Sequence, residues 1–325
     1  MPSYASMLPS TDALKKGLTW ALRKERLNGH SVILLDRELS PYSTSFPCEV
    51  VTCQIGKGRP HRLFCKYTAG VEYTGHGHRG RVEVEVAVYR DILARSKHFR
   101  PKLYGSYTDR ETGDHWIFLE YLDGSLRIGK VGDISAILKA ARWIARFQAA
   151  NQRLVVSKRL QFLKRYDRDY YVGWVRRTSE FAGSLHRRYP WLRTLCRHSE
   201  KLLAPLLGSS PTVIHGEYYP HNILYRRGLV CPVDWESAAI AEGVIDIATL
   251  TEGWPEEVVQ ACMKEYQRTR WPGGVPAGFK FKETLMAASL YMCFRWLGDE
   301  PSATHGQALR YFRRLRSLGR QLGVV

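Results

Sequence analysis

The chain has 325 residues, 44% of them hydrophobic and 25% charged, the proportions of a soluble globular protein long enough for one large domain or two lobes. Its longest apolar run, Leu285 to Phe294, is too short to cross a bilayer, and seven Cys without a C-x-x-C pair exclude a zinc ribbon and a disulfide framework. The formal charge is +18 and uneven: from Asn151 to Pro211 there are 13 Lys and Arg against 4 Asp and Glu, which fits either a solvated helical surface or attraction of something anionic.

The first residues lack the basic-then-apolar layout of a secretion signal, so the expectation is a cytoplasmic protein with no membrane partner. Residues 11 to 28 carry Leu14, Leu18, Trp20, Leu22 and Leu27 at helical spacing behind a Thr-Asp cap signal; they predict a peripheral helix. From Ser31 the period becomes that of strands: SVILLDREL, a turn through PYSTSFP, then CEVVTCQIG, a Gly-Lys-Gly turn and HRLFCKY, which ends near Lys66. TGHGHRG follows, with Gly75, Gly77 and Gly80 in G-x-G-x-x-G register. The dinucleotide fingerprint needs a buried strand running into the first Gly; VEYT is too short and polar, so the stretch reads as a mobile, solvated loop with His76 and His78 in it. RVEVEVAVYRDILA predicts a helix that carries Glu83 and Glu85. PKLYGSYT and HWIFLEYL predict two more strands, giving a five-strand sheet, and LEYLDG leads out of it.

From Asp133 the pattern turns helical, with Ile134, Ile137, Leu138, Ala141, Ile144, Ala145 and Gln148 on one face behind an Asp cap. Further helical runs cover roughly 159–183, 190–207, 255–270, 279–297 and 303–322. Tyr166, Tyr170 and Trp174 repeat at i, i+4, i+8, a spacing that marks core more often than a stacking wall. No internal repeat appears, and the divisions drawn are an N-terminal helical extension over 1–30, one lobe over 31–124 and another over 125–325.

Residues 212 to 250 organise the rest. An apolar lead-in delivers His215 and Glu217, Asn222 follows five residues after the Glu, and a second apolar run delivers Asp234 and Glu236. Phosphoryl transfer asks for this set: a carboxylate to orient the attacking hydroxyl, and a carboxamide and a carboxylate to hold the magnesium ions that bridge the phosphates. The Glu217-to-Asn222 interval equals the Asp-to-Asn interval of the protein-kinase catalytic loop. Any one of these residues alone is explained by a polar loop; the ordered set is not.

With HGEYYPHNIL and VDWESA the stretch resembles the aminoglycoside phosphotransferase and choline kinase-like family, whose pattern is H-G-D-x-x-x-x-N followed by D-x-E or D-x-D. The resemblance implies an α+β, protein kinase-like two-lobe fold: a small N-terminal lobe on a five-stranded antiparallel sheet and a larger, mainly helical C-terminal lobe, with ATP and Mg2+ between them. It implies Asn222 and Asp234 as magnesium ligands with Glu236 assisting, Lys66 on the phosphates with Glu85 as its partner (Glu83 the alternative), and Glu217 orienting the acceptor. His215 would fix the catalytic loop by hydrogen bonding, and Asp246 would brace that loop or cap the helix it begins. Ser43, Thr44 and Ser45 would lie over the phosphates, though a turn explains the same letters, and the backbone of Glu120, Tyr121 and Leu122 would meet the adenine.

The family's catalytic Asp is Glu217 here. The expected function is ATP-dependent phosphorylation of a hydroxyl on a small molecule. The family's cationic substrates call for a wall of carboxylates, whereas this chain's helical half is basic, so the acceptor expected is neutral or anionic. A non-catalytic nucleotide-binding scaffold is the alternative that the Glu suggests. A nucleic-acid binder ranks last, because no RNA-binding motif accompanies the charge.

Overall fold

The computed structural model describes residues 4–23, 31–43, 46–70, 76–78, 80–96, 98–183, 185–208, 211–299 and 305–325. They form two units. The first comprises Met1–Tyr73, Arg79–Leu126 and Leu224–Glu236, and the second Thr74–His78, Arg127–Ile223 and Ser237–Val325. Among the described residues no helix is long and apolar enough to cross a membrane.

The first unit opens with helix α1 (Thr11–Leu22), whose cap is Ser10: its hydroxyl accepts the N–H of Ala13 at 3.2 Å. Strands β1 (Val32–Leu39), β2 (Cys48–Ile55), β3 (His61–Tyr67), β4 (Leu103–Thr108) and β5 (His115–Glu120) form one antiparallel sheet in the order β1-β2-β3-β5-β4. The alternation read from the sequence places Val51, Cys53, Leu63, Cys65 and Phe118 on a common buried face. Against that face lie Leu14, Leu18, Ala21 and Leu22 of α1, so the helix expected at the periphery is part of the core. Its Gly17 is fitted to the contact, because a Cβ there would stand 2.6 Å from the Trp116 ring.

Between β3 and β4 runs α2 (Val82–Ala87), which continues as a π-helical turn over Val88–Ile92 and a 3-10 turn over Leu93–Arg95. The single helix expected there is therefore underwound and then overwound, a local irregularity of the kind that π-bulges introduce, often near functional sites. A short β6 (Leu126–Arg127) closes this part of the chain.

The second unit is mainly helical: α3 (Ile134–Asn151), α4 (Arg168–Ala182), α5 (Leu185–Arg188), α6 (Pro190–Leu203), α7 (Val244–Leu250), α8 (Glu256–Arg270), α9 (Phe281–Asp299) and α10 (His305–Gln321). Helix α3 packs on α8, and α9 packs on α4, α7 and α10. The run expected to be helical from 159 starts only at Arg168, where the Asp167 side chain accepts the N–H of Tyr170 at 2.8 Å. Ahead of that cap, β7 (Lys164–Arg165) pairs with β11 (Ala239–Ala241), which also pairs with β8 (Thr212–Ile214). Strands β9 (Ile223–Arg226) and β10 (Leu229–Pro232) are neighbours joined at Arg227 and Gly228, both at positive φ.

Candidate active site

Lys66 sits on the last turn of β3 and is buried, and three carboxylates converge on its ammonium. Glu85 of α2 lies 2.9 Å from Nζ, Asp234 lies 2.5 Å away, and Glu236 is the third partner. Glu85 and not Glu83 meets the lysine; Glu83 faces His115 at 3.2 Å. The other Glu85 oxygen accepts the backbone N–H of Trp235 at 3.2 Å, which fastens the Asp234–Glu236 turn to α2. Asp234 itself is held at φ +68°, a left-handed conformation that costs a non-glycine residue about 1–3 kcal/mol.

Burial opposes the lysine's charge, but Asp234, Glu236 and Glu85 together outweigh it and raise its pKa above the ordinary value. Three carboxylates exceed one ammonium, and the surplus shows at Glu236, where burial, only partly offset by Lys66, pushes the pKa up to about 8. Glu236 Oε1 is also buried and has no hydrogen-bond partner among the described residues. Carboxylate oxygens of Glu85, Asp234 and Glu236 lie within 4.8 Å of one another. A hard divalent cation suits such an all-oxygen donor set, and the residues present fit one.

The second unit holds the other half of the motif. His215, Gly216 and Glu217 leave β8 in a turn that Asp246 of α7 braces: its carboxylate accepts the N–H groups of His215 at 2.9 Å and Gly216 at 3.0 Å, and the Gln148 amide at 2.9 Å. Gly216 is at φ +83°, and a Cβ there would fall 2.1 Å from the Ser237 carbonyl oxygen, so only glycine fits. His215 Nδ1 faces the Glu217 N–H at 3.4 Å, and the Asn222 side chain donates to the Glu217 carbonyl at 3.1 Å. His215, Glu217 and Asn222 are thus one hydrogen-bonded loop.

Among the described residues, Arg295 and His78, both outside the motif, lie against the Glu217 carboxylate. Nη1 of the buried Arg295 in α9 donates to its Oε1 at 3.2 Å, and His78 Nε2 lies 3.3 Å from the same oxygen. His76 and His78 are not in a solvated loop. His76 stacks on Tyr170 at 5.4 Å and bonds the Tyr170 carbonyl at 2.9 Å, in a gap left by Gly173, where a Cβ would lie 2.1 Å from the imidazole. Arg295 was missed by sequence reasoning, although a lone Arg directly after the longest apolar run is a signal for a buried charge.

Other expected site residues lie in the first unit. Ser43 ties the β1–β2 connection, its hydroxyl bonding the Ser40 carbonyl at 3.1 Å and the Cys48 N–H at 3.0 Å; Thr44 and Ser45 lie outside the described residues. Glu120 exchanges bonds with Lys102, donating from its backbone at 2.8 Å and accepting on its side chain at 3.1 Å. Tyr121 donates its N–H to Arg62 at 3.1 Å, and the buried Leu122 takes the Ser125 hydroxyl on its carbonyl at 2.8 Å.

A model of the phosphotransferase enzyme family matches residues 76–277. Among solved structures, the choline kinase LicA from Streptococcus pneumoniae is 14% identical over 88% of this chain and 94% of its own, with a TM-score of 0.58. The GDP complex of wild-type aminoglycoside 2'-phosphotransferase-IIIa is 11% identical over 93% and 97%, with a TM-score of 0.64. A microcompartment-associated aminopropanol kinase is 15% identical over 93% and 95%, with a TM-score of 0.59. At these identities the likeness is one of fold. No curated protein matches the chain.

Proposed function

The chain belongs to the phosphotransferase enzyme family, and from that premise we propose that it transfers the terminal phosphoryl group of ATP to a hydroxyl of a small, neutral or anionic acceptor. The observation that carries the reading is the burial of Lys66 among Glu85, Asp234 and Glu236. A lysine so placed serves the phosphates, and the surplus carboxylates would hold Mg2+, with Asn222 as a further ligand. The bound cation would neutralise charge on the phosphates. Glu217 orients the acceptor: the acceptor's hydroxyl oxygen bonds the terminal phosphorus as the bond to the nucleoside diphosphate breaks, and the hydroxyl proton passes to Glu217. The basic residues of 151–211 and an excess of 11 Lys and Arg over 7 Asp and Glu from Thr251 onward favour an acceptor without positive charge.

Thermal unfolding tests this directly. A ligand that binds only the folded chain stabilises it by about 2.7 kcal/mol at a hundred times its Kd, so saturating Mg-ATP raises Tm, and Asp234→Ala removes the gain. Glu217→Gln keeps the gain while phosphoryl transfer falls at least tenfold, since losing a general base commonly costs about a hundredfold. A Tm indifferent to nucleotide, with or without magnesium, overturns the reading. A second reading, nucleotide binding without turnover, is favoured by the Glu217–Arg295 ion pair; it predicts the Tm gain with no transfer to any hydroxyl or to water.

A further inference from the structure

Resting on the reading that Glu217 orients the acceptor, we propose that Arg295 and His78 are positioning residues that fit a glutamate into a site whose family pattern carries aspartate. Glu is one methylene longer than Asp and has one more torsion to fix. Where positioning supplies the catalysis, a displacement of about 1 Å costs roughly a hundredfold.

Both residues stand against the same atom. Arg295 Nη1 donates to Glu217 Oε1 at 3.2 Å, and His78 Nε2 lies 3.3 Å from it with no hydrogen bond between them, so the arginine holds the oxygen and the imidazole limits the space in which it can move. Each is anchored in turn. Arg295 Nη2 donates to the Tyr219 hydroxyl at 2.6 Å, which also takes the Trp296 indole N–H at 2.7 Å, and Asp299 stands 4.0 Å from Nη1. His78 Nδ1 bonds the hydroxyls of Tyr170 at 3.0 Å and Tyr166 at 3.2 Å, and Tyr170 bonds Tyr291 at 3.0 Å. Tyr166, just ahead of α4, and Tyr170 within it, core by their spacing, are thus also the mount for His78.

Stability does not account for this arrangement. Buried ion pairs are commonly no better for stability than apolar residues of the same volume, whereas a buried, many-partnered guanidinium has little freedom and transmits little to its partner. Burial works against the charge of Arg295, but Tyr219 and Glu217 outweigh it and hold the guanidinium charged. A charged donor on Oε1 favours a carboxylate that receives and aligns a hydroxyl over one that removes its proton early, as a loose phosphoryl-transfer transition state requires.

The test is a pair of double-mutant cycles, Arg295→Met with Glu217→Asp and His78→Gln with Glu217→Asp, read by ADP formation from Mg-ATP with water as the acceptor and with a panel of neutral and acidic alcohols. Arg295→Met and His78→Gln each lower kcat at least tenfold while the KM for ATP and the Mg-ATP Tm gain stay at wild-type values, a split that a general loss of structure does not give. In the Glu217→Asp background, whose shorter side chain reaches neither partner, both substitutions cost less than threefold. Arg295→Lys, which keeps the charge and is the fallback should Arg295→Met not fold, restores part of kcat. Turnover of both single variants at the wild-type rate, or equal losses in the Glu and Asp backgrounds, overturns the inference alone. A wild type that transfers phosphoryl to nothing, water included, overturns the catalytic reading and this inference with it.

Discussion

In the first unit three carboxylates surround one ammonium, whereas in the second a single carboxylate is held between a guanidinium and an imidazole. Lys66, Glu85, Glu236, Glu217 and Arg295 are all buried, yet only the first cluster has more acids than bases. One ammonium, Lys66, faces the three carboxyl groups of Glu85, Asp234 and Glu236, and burial pushes the Glu236 pKa up to about 8. Glu217 has its charge answered by Arg295 at 3.2 Å. A surplus of buried carboxylate is an invitation to a cation that arrives and leaves with its ligand; a balanced pair holds its geometry at all times. The first plan suits binding, the second suits alignment.

The strongest test of the contrast is Lys66→Met. Removing the only ammonium among three carboxylates leaves buried charge unanswered, which costs about 3–5 kcal/mol, and millimolar Mg2+ restores part of that loss because it supplies the missing charge. Denaturant unfolding with and without Mg2+ measures both; a variant as stable as wild type, or one untouched by the ion, breaks the comparison.

A smaller effect is expected at Asp246, which braces the Glu217 loop. Asp246→Asn keeps the size but turns a donor toward N–H groups that need an acceptor, a loss of about 1–3 kcal/mol. Burial raises the Asp246 pKa to about 7, against the hydrogen bonds from His215, Gly216 and Gln148. The folded value lies above the unfolded one, so this group's contribution is fully present below about pH 4, the ordinary Asp range, and is lost as pH rises through about 7. Tm measured from pH 4 to 8 therefore falls less steeply in Asp246→Asn than in wild type; parallel profiles would remove Asp246 from the account.

The smallest effect separates two neighbours on α2. Glu83 forms a half-exposed pair with His115, worth about 0.5 kcal/mol or less, so Glu83→Gln leaves both Tm and its Mg-ATP gain nearly unchanged. Glu85→Gln takes the Lys66 pairing away and reduces the gain. Equal responses of the two variants would mean that the α2 register does not matter to nucleotide binding.

Much of this was legible in the residues. The period-2 runs from Ser31 to Leu122 mark the five strands, because a half-buried sheet demands that alternation residue by residue. The spacing of His215, Glu217, Asn222, Asp234 and Glu236 marks the loop chemistry, because those groups are separated by short, stiff segments. Periodicity could not reveal that α1 packs its leucines into the sheet's core, since one buried stripe looks the same at a periphery and in a core.

What the sequence alone determined, then, is whatever is local: strands, helices, caps, and a motif whose members lie within about twenty residues of one another. Only the tertiary structure decided which charges meet. It brought Asp234 to a lysine 168 positions earlier, assigned Leu224–Glu236 to the first unit, and drew His78 and Arg295 onto Glu217, while Glu85, already preferred to Glu83 in the sequence, met the lysine as expected. The reason is physical. A local pattern reports which side of an element is apolar, but a buried ion pair is specified by where two distant backbones pass each other, and in the sequence its two halves are a glutamate in one loop and one arginine among many.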